Sequence, residues 1–200
     1  MSAPAKVRYG FLVDLRRCMG CHTCSVVCKS ENDVPLGVWR AWVKQVEKGT
    51  YPDVRKSFVP LLCNNCEHPI CVTVCPVNAN KKRPDGIVTY DPHRCVGCRY
   101  CMAACPYEVR YFHPFKKIIE KCHWCLHRVE AGLEPACVAA CPSGARVFGN
   151  LLDPKSKIAR LIADNAVQVI APEMGTEPHV FYIGLDQDAV KAKRRFVWTL

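Results

Sequence analysis

Sixteen cysteines in 200 residues carry the chemistry open to this chain, and their spacing says more than their number. The densest stretch runs from Cys63 to Pro106. It reads Cys63, Cys66, Cys71 and Cys75-Pro76, then Cys95, Cys98, Cys101 and Cys105-Pro106. Thiolates are ligands for soft metals. Three of them at short intervals wrap three corners of a small object, and a more distant cysteine must reach the fourth. That is what a [4Fe–4S] cube requires, and the run beginning at Cys95 has the spacing that supplies it. Gly97 permits a close backbone approach, and Pro76 and Pro106 turn the chain away after the last ligand. Val72, Val74, Val96, Met102 and Ala103 are expected to exclude water from the site.

The Cys95 run is that of a bacterial ferredoxin, and the Cys63 run is the same with one longer gap. In two-cluster ferredoxins the fourth cysteine of each run ligates the other cluster. Two further groups flank this pair. One is Cys18, Cys21, Cys24 and Cys28, followed by Lys29 in place of proline. The other is Cys122, Cys125, Cys137 and Cys141-Pro142. No cysteine is left over. The inner two groups are contiguous and pair with each other, so the outer two pair across them. The crossing rule then gives four ligand sets. They are Cys63, Cys66, Cys71 and Cys105; Cys95, Cys98, Cys101 and Cys75; Cys18, Cys21, Cys24 and Cys141; and Cys122, Cys125, Cys137 and Cys28. The expected fold is α+β: two ferredoxin-like cluster-binding units, one inserted into the other, with irregular extensions. The outer unit takes residues 1–62 and 114–200 and the inserted unit residues 63–113. Four [4Fe–4S] clusters are the expected cofactors.

Competing readings of the cysteines are weaker. Tetrahedral zinc favours two pairs over a triplet and a distant single. A disulfide scaffold gives no reason for the Cys-Pro endings, and cysteines two residues apart pair poorly. The formal charge of +10 invites nucleic acid as a partner. Sixteen thiolates with four cube cores of about +2 each add about −8, which leaves roughly +2, so that partner is not expected. With a modest apolar core, the clusters must act as staples, and the chain without them is not expected to fold. Met1–Lys6 lacks the apolar stretch of a signal peptide, Arg16-Arg17 lies beside the first cysteine group, and no apolar run is long enough to span a membrane.

The elements that must position the cysteines are legible in outline. Val7–Leu15 alternates as a strand leading into the first loop, and Thr23–Glu31 is a short helix with Cys24 and Cys28 on one face. Val38–Glu47 and Ser57–Leu62 read as strands joined by a turn over Gly49–Asp53. Lys81-Lys82-Arg83 reads as a solvated turn, Gly86–Tyr90 and Val109–Phe112 as strands, and His113–Lys121 as a link. His127–Pro135 is a helical or turn-like lid. Ala136–Ala140 is helical, Ala145–Phe148 a strand, Asp153-Pro154 the start of a helix with Lys157–Asp164 as its body, and Val180–Ile183 a strand. Trp39 and Trp42 read as core packing, with a partner interface as the alternative. His68 reads as a surface or supporting residue, Trp124 as packing or as a shield, and Lys29 as a solvated lysine or a tuner of one cluster. The tail Lys191–Trp198, basic then aromatic, is either a frayed end or a dock for a membrane subunit.

The four groups in this order, the widened gap of the Cys63 group, the Cys122 group, and the segments Ala145–Gly149 and Phe181–Ile183 resemble the iron–sulfur subunits of molybdopterin oxidoreductases. The likeness is to the dimethyl sulfoxide, polysulfide, thiosulfate, arsenate and tetrathionate reductase type and covers about residues 7–185. Some members replace a cysteine of the third group. Cys98 is present here, so four [4Fe–4S] clusters are implied. The resemblance implies an electron wire, not an enzyme by itself. One implied partner is a catalytic subunit with a molybdopterin cofactor of molybdenum or tungsten. The other is an integral, quinone-reactive membrane subunit, through which the chain would be peripherally attached. It implies anaerobic respiration on the periplasmic side of the cytoplasmic membrane, with export alongside the catalytic partner; the cytoplasmic face is the alternative.

Fully cysteine-ligated clusters leave no open iron position for a substrate, which agrees with one-electron relay and no catalytic residue in this chain. A free soluble polyferredoxin-type carrier is the competing function. An enzyme with a site-differentiated cluster would need a missing cysteine, and none is missing.

Overall fold

The computed structural model describes residues 7–191. The tail read as a possible dock lies outside the described residues, apart from its first position. The chain runs through β1 (Tyr9–Asp14), α1 (Thr23–Glu31), β2 (Trp42–Thr50), β3 (Asp53–Leu61), α2 (Ile70–Thr73), β4 (Asn80–Lys82), β5 (Val88–Tyr90) and α3 (Tyr100–Ala103). It continues through β6 (Arg110–Phe112), β7 (Ile119–Lys121), α4 (Leu126–Glu130), α5 (Ala136–Ala139), β8 (Arg146–Asn150), α6 (Lys157–Asp164), β9 (Val167–Gln168), β10 (Val180–Ile183) and α7 (Gln187–Lys191). The protein is a mixed α and β structure of short pieces. A strand delivers the chain into each cysteine loop: β1 into Cys18, β3 into Cys63, β5 into Cys95 and β7 into Cys122. After each Cys-Pro step a tight turn leads to a departing strand. The turns close through Asn78 N–H to Cys75 O (3.2 Å), Glu108 N–H to Cys105 O (3.2 Å) and Gly144 N–H to Cys141 O (3.1 Å). Where Lys29 replaces proline, α1 runs on to Glu31.

One four-stranded sheet, in the order β8-β1-β10-β9, draws its strands from both ends of the sequence. β1 pairs in parallel with β10, Phe11 opposite Val180, and antiparallel with β8, Val13 opposite Arg146. Successive side chains of a strand take opposite faces. Leu12, Val147 and Ile183 pack under Ile158 of α6. Phe11, Val13, Val180 and Tyr182 face the other way, into the core that holds Cys24, Cys28, Cys122, Cys137 and Trp124. The sheet is therefore a wall between an ordinary apolar helix contact and the cysteine-bearing interior. Three hairpins complete the fold: β2–β3, β4–β5 and β6–β7.

Several sequence readings need correction. β1 is a strand as read, but shorter, and Leu12 is as fully buried as Phe11 and Val13, because β1 lies inside the sheet with α6 over its second face. Lys81 and Lys82 belong to β4, and the supposed link before Cys122 contains β7. Strands of three residues are too short to show periodicity. β2 starts at Trp42 and not at Val38, and β2 and β3 run further toward their turn than read, pairing as far as Thr50 opposite Asp53. The cap of α6 is Ser156, whose Oγ accepts from Ala159 N–H at 3.2 Å, not Asp153, which closes the preceding turn onto Lys155 N–H. Trp42 is buried in the core, and Trp39 packs against it. The β6–β7 hairpin straddles residue 113, where the sequence reading ends the inserted unit.

Candidate functional site

The four cysteine loops share a backbone signature. The residue before the second cysteine is left-handed in every group: Gly20 (φ 70°), Asn65 (φ 41°), Gly97 (φ 68°) and Trp124 (φ 54°). Such a residue curls the loop so that successive N–H groups point inward, a geometry that receives anions. Glycine takes it freely, asparagine tolerates it, and a bulky side chain does not without support. A Cβ on Gly20 would meet the Phe58 ring, and one on Gly97 would meet the Lys117 carbonyl. Trp124 is held by burial at 1% exposure. The third cysteine of each group then sits on a short helix: Cys24 on α1, Cys71 on α2, Cys101 on α3 and Cys137 on α5. α2 packs on α3 and α1 on α5, so the inner groups face each other and the outer groups face each other.

All sixteen cysteines are free thiols. Cys75, Cys95, Cys98 and Cys101 line one open cavity of about 340 Å³ with Val77, Ala79 and Ile119. Cys63, Cys66, Cys71 and Cys105 line a second of about 370 Å³ with Tyr107, Arg110 and Thr176. The outer thiols are sorted by their electrostatic neighbours. Burial pushes the Cys28 thiol up to about 12, and Cys137 and Cys125 add to the push. Burial likewise raises Cys122, reinforced by Cys28, Cys125 and Cys137. Cys18 is raised by burial, with Cys24 and Cys141 contributing. Cys21 is lowered by the hydrogen bond from the Thr23 hydroxyl (3.3 Å), against which Cys141 works.

The same neighbours put the four groups of thiols in a row. Cys101 feels Cys71 across the first junction, and Cys122 feels Cys63 across the second. Cys137, pushed up to about 11 by burial, also feels Cys24 across the third. The two groups at the ends of this order hold Cys98 and Cys21, and these are the two exposed cysteines. Val96 (65%) and Tyr100 (63%) are exposed at one end, Met19 (58%) and Val26 (63%) at the other. Val96 and Ala103 are thus outside surfaces, contrary to the water-excluding role read for them; Ala79, Val88 and Val109 are the buried ones.

The fit of an iron–sulfur cube rests on the donor set and on hydrogen-bond donors without partners. Raised thiols in apolar surroundings are poor free anions, but metal ligation deprotonates them. Amide donors already face sulfur: Ala79 N–H to Cys75 (3.2 Å), Ile119 N–H to Cys95 (3.4 Å) and Trp124 N–H to Cys122 (3.4 Å). Buried Arg110 and Arg146 each hold an Nη2 with no hydrogen-bond partner. Among the described residues no three or more His, Cys, Asp or Glu side chains are grouped to hold a single metal ion. The inner thiols line open hollows, and the all-thiol donor set with its free N–H donors fits a cube.

Comparison with known proteins agrees. The model of the 4Fe-4S dicluster domain matches residues 54–151. A tetrathionate reductase subunit from Salmonella typhimurium is 49% identical over 183 residues, covering 90% of this chain and 73% of that protein. The iron–sulfur subunit of the arsenate respiratory reductase of a Shewanella species is 37% identical, covering 88% and 96%. An iron–sulfur subunit of an Hdr-like menaquinol oxidoreductase from Archaeoglobus fulgidus is 38% identical, covering 90% and 84%. The chain belongs to this family of oxidoreductase iron–sulfur subunits.

Within this iron–sulfur subunit, several residues near the thiols carry no cysteine signal. Asn32 points its Nδ2 at Cys28 and Cys125, 3.8 Å from each sulfur, and accepts from Arg40 Nη1 at 2.9 Å. Thr176 comes from a segment without ligand pattern, yet it lines the second cavity and hydrogen-bonds Tyr107. Lys29 is not simply solvated. Its Nζ donates to Pro35 O (2.6 Å) and Val38 O (2.8 Å) and stands 4.3 Å from the Trp39 ring centre, so it pins the loop after α1. His68 is a surface residue facing Glu177. Among the described residues no helix is long and apolar enough to cross a membrane.

Proposed function

We propose that this subunit relays single electrons through four [4Fe–4S] clusters between a molybdopterin catalytic subunit and a quinone-reactive membrane subunit. The proposed ligand sets are the four given by the crossing rule, which makes the architecture two nested ferredoxin-like units. Each cube, when bound, takes up and releases one electron at a time. The chain's own part is to hold the cubes in file, to keep water from the middle of the file, and to expose its ends. One observation carries the reading: the cysteine groups join one to the next through α3 on α2, Trp124 on Cys63 and α5 on α1, and the two outermost groups hold the two exposed cysteines, Cys98 and Cys21. A wire needs an entrance and an exit, whereas a catalytic site needs one open pocket. The relatives named for reductases and for a menaquinol oxidoreductase support partners of those two kinds. Attachment to the membrane through the partner, on the periplasmic side, belongs to the same proposal.

The test is iron and acid-labile sulfide analysis of anaerobically purified protein, with EPR of the reduced form. About sixteen of each per chain, with spin-coupled reduced cubanes, is the expected result. Iron for only two clusters, or zinc in its place, overturns the four-cluster wire. Side of the membrane is read by protease accessibility in right-side-out and inverted vesicles. Digestion confined to inverted vesicles overturns the periplasmic assignment.

A further inference from the structure

Two arginines occupy matched positions in the two halves of the row. Arg110 lies five residues past the cysteine of Cys105-Pro106, and Arg146 lies five past that of Cys141-Pro142. Each opens the strand that follows the turn, β6 and β8. Each is buried, at 6% and 3% exposure. The third buried arginine, Arg40, meets the carboxylate of Glu120 at 2.7 Å. Arg110 and Arg146 face thiols instead.

Arg146 Nη1 donates to Cys137 Sγ at 3.5 Å, and the guanidinium stands 5.6 Å from the Phe11 ring centre. Cys137 lies on α5, which packs on α1, the helix that carries Cys24 of the other outer set, so Arg146 sits beside the junction of the outer pair. Arg110 repeats the arrangement in the inner pair. It lines the cavity of Cys63, Cys66, Cys71 and Cys105. β6, which Arg110 opens, packs against α3, the helix that carries Cys101 of the other inner set. Its Nη1 donates to Asn80 Oδ1 at 3.0 Å, and Asn80 Nδ2 donates to Cys71 O at 3.0 Å, which fixes the guanidinium in place. In both arginines the remaining Nη2 is buried without a partner. A guanidinium is a rigid fork of donors that cannot be neutralised by losing a proton, and an unmet buried donor costs roughly 1–3 kcal/mol, more when charged.

We propose that Arg110 and Arg146 are matched potential-setting residues, each giving its unpartnered Nη2–H to cluster sulfur and lying between the two clusters of one pair. The proposal rests on the four-cluster reading above. Taking up one electron adds one negative charge to a cube. A fixed cation and a hydrogen bond to its sulfur favour that reduced form and raise the reduction potential. Because each arginine stands between two cubes, it raises both members of its pair together. The two pairs are thus set by two separate residues.

The test is a redox titration followed by EPR on the full-length wild type and on Arg146→Gln, Arg110→Gln and the matching lysine variants, with iron and sulfide measured on each. Full iron in the wild type tests the four-cluster reading, and the titration tests the arginines. In Arg146→Gln two of the four signals are expected to move to lower potential while the other two stay. Arg110→Gln should move the complementary two. Lysine keeps the charge but loses the fork, so Arg→Lys should restore part of each shift. Four unmoved potentials at full iron content, or an equal shift of all four, overturn the proposal. If a glutamine variant loses iron, the loss should be confined to about half, that of the neighbouring pair. Loss of all iron in the glutamine variant, with wild-type potentials in its lysine counterpart, also overturns it.

Discussion

The indole Nε1–H of Trp124 donates to the backbone carbonyl of Cys63 at 3.2 Å. This bond ties the fourth cysteine group to the second, where the inner and outer halves of the row meet. Trp124 is 1% exposed and left-handed (φ 54°), and it packs edge-on to Phe148. Trp124→Phe keeps most of the apolar contact and leaves the Cys63 carbonyl with one donor, Asn65 Nδ2–H at 3.3 Å. The expected loss is about 0.5–1.5 kcal/mol, read as a lower thermal midpoint in holoprotein with unchanged iron. An unchanged midpoint would show the bond to be dispensable.

Arg40 and Glu120 form a buried pair, and Arg40 also reaches Asn32, Tyr90 and Tyr111. Removing one member leaves a charge in a low-dielectric interior, at a cost of about 3–5 kcal/mol. Arg40→Leu should destabilise by that amount in denaturant titration. Arg40→Met with Glu120→Leu should recover most of it. A double variant as unstable as the worse single one would contradict this account.

Gly97 is both left-handed and closed over by the Lys117 carbonyl, so an added Cβ has no room. Gly97→Ala should lose the cluster of Cys75, Cys95, Cys98 and Cys101, about one quarter of the iron, and leave the rest. Gly132→Ala is the control: it is also left-handed, but nothing lies within 4 Å of the added Cβ. Iron equal to wild type in Gly97→Ala would refute the steric argument.

Val96 and Tyr100 surround one exposed end of the row and Met19 and Val26 the other. A carboxylate buried in an apolar contact weakens it by about tenfold or more. Tyr100→Glu and Val26→Glu should each retain full iron and impair electron exchange with a different partner subunit. Pre-steady-state reduction of the clusters from each partner separately would distinguish them. Unimpaired transfer in both variants would place the contacts elsewhere.

Removal of the clusters should unfold the chain. Lys121 is fully buried and bonds only oxygen acceptors, Asn65 Oδ1 and the carbonyls of Val88 and Cys122, among the described residues. Arg110 and Arg146 face thiols. Without anionic clusters the two arginines are buried with unmet donors. Oxidative extraction of iron under a chelator should abolish the near-ultraviolet circular dichroism, and reconstitution should restore it. A native spectrum without iron would mean that the apolar core suffices.

The Cys-Pro turns and two of the helices carrying third cysteines, α1 and α5, are legible because proline, glycine and cysteine act through local backbone geometry; α2 and α3, of four residues each, are too short to read. Thr23–Glu31 was read to the residue for this reason. β4 and β7 were not, since three residues show no period and their pairing is a matter of neighbours. The second face of β1 was missed because α6, which covers it, is distant in sequence. Arg110 and Arg146 could have been found from their shared place five residues after Cys-Pro, but the sequence alone gives no reason why an arginine there should be buried.

The sequence by itself determined the metal chemistry, because ligand type and local spacing decide what a loop can wrap. It also determined the family, because that spacing is repeated in order along the chain. Only the tertiary structure decided which cysteine groups face each other, which thiols are exposed, and which cations are buried beside them. Those depend on α1 packing on α5, α2 on α3, and Trp124 reaching Cys63, contacts between residues far apart in the chain.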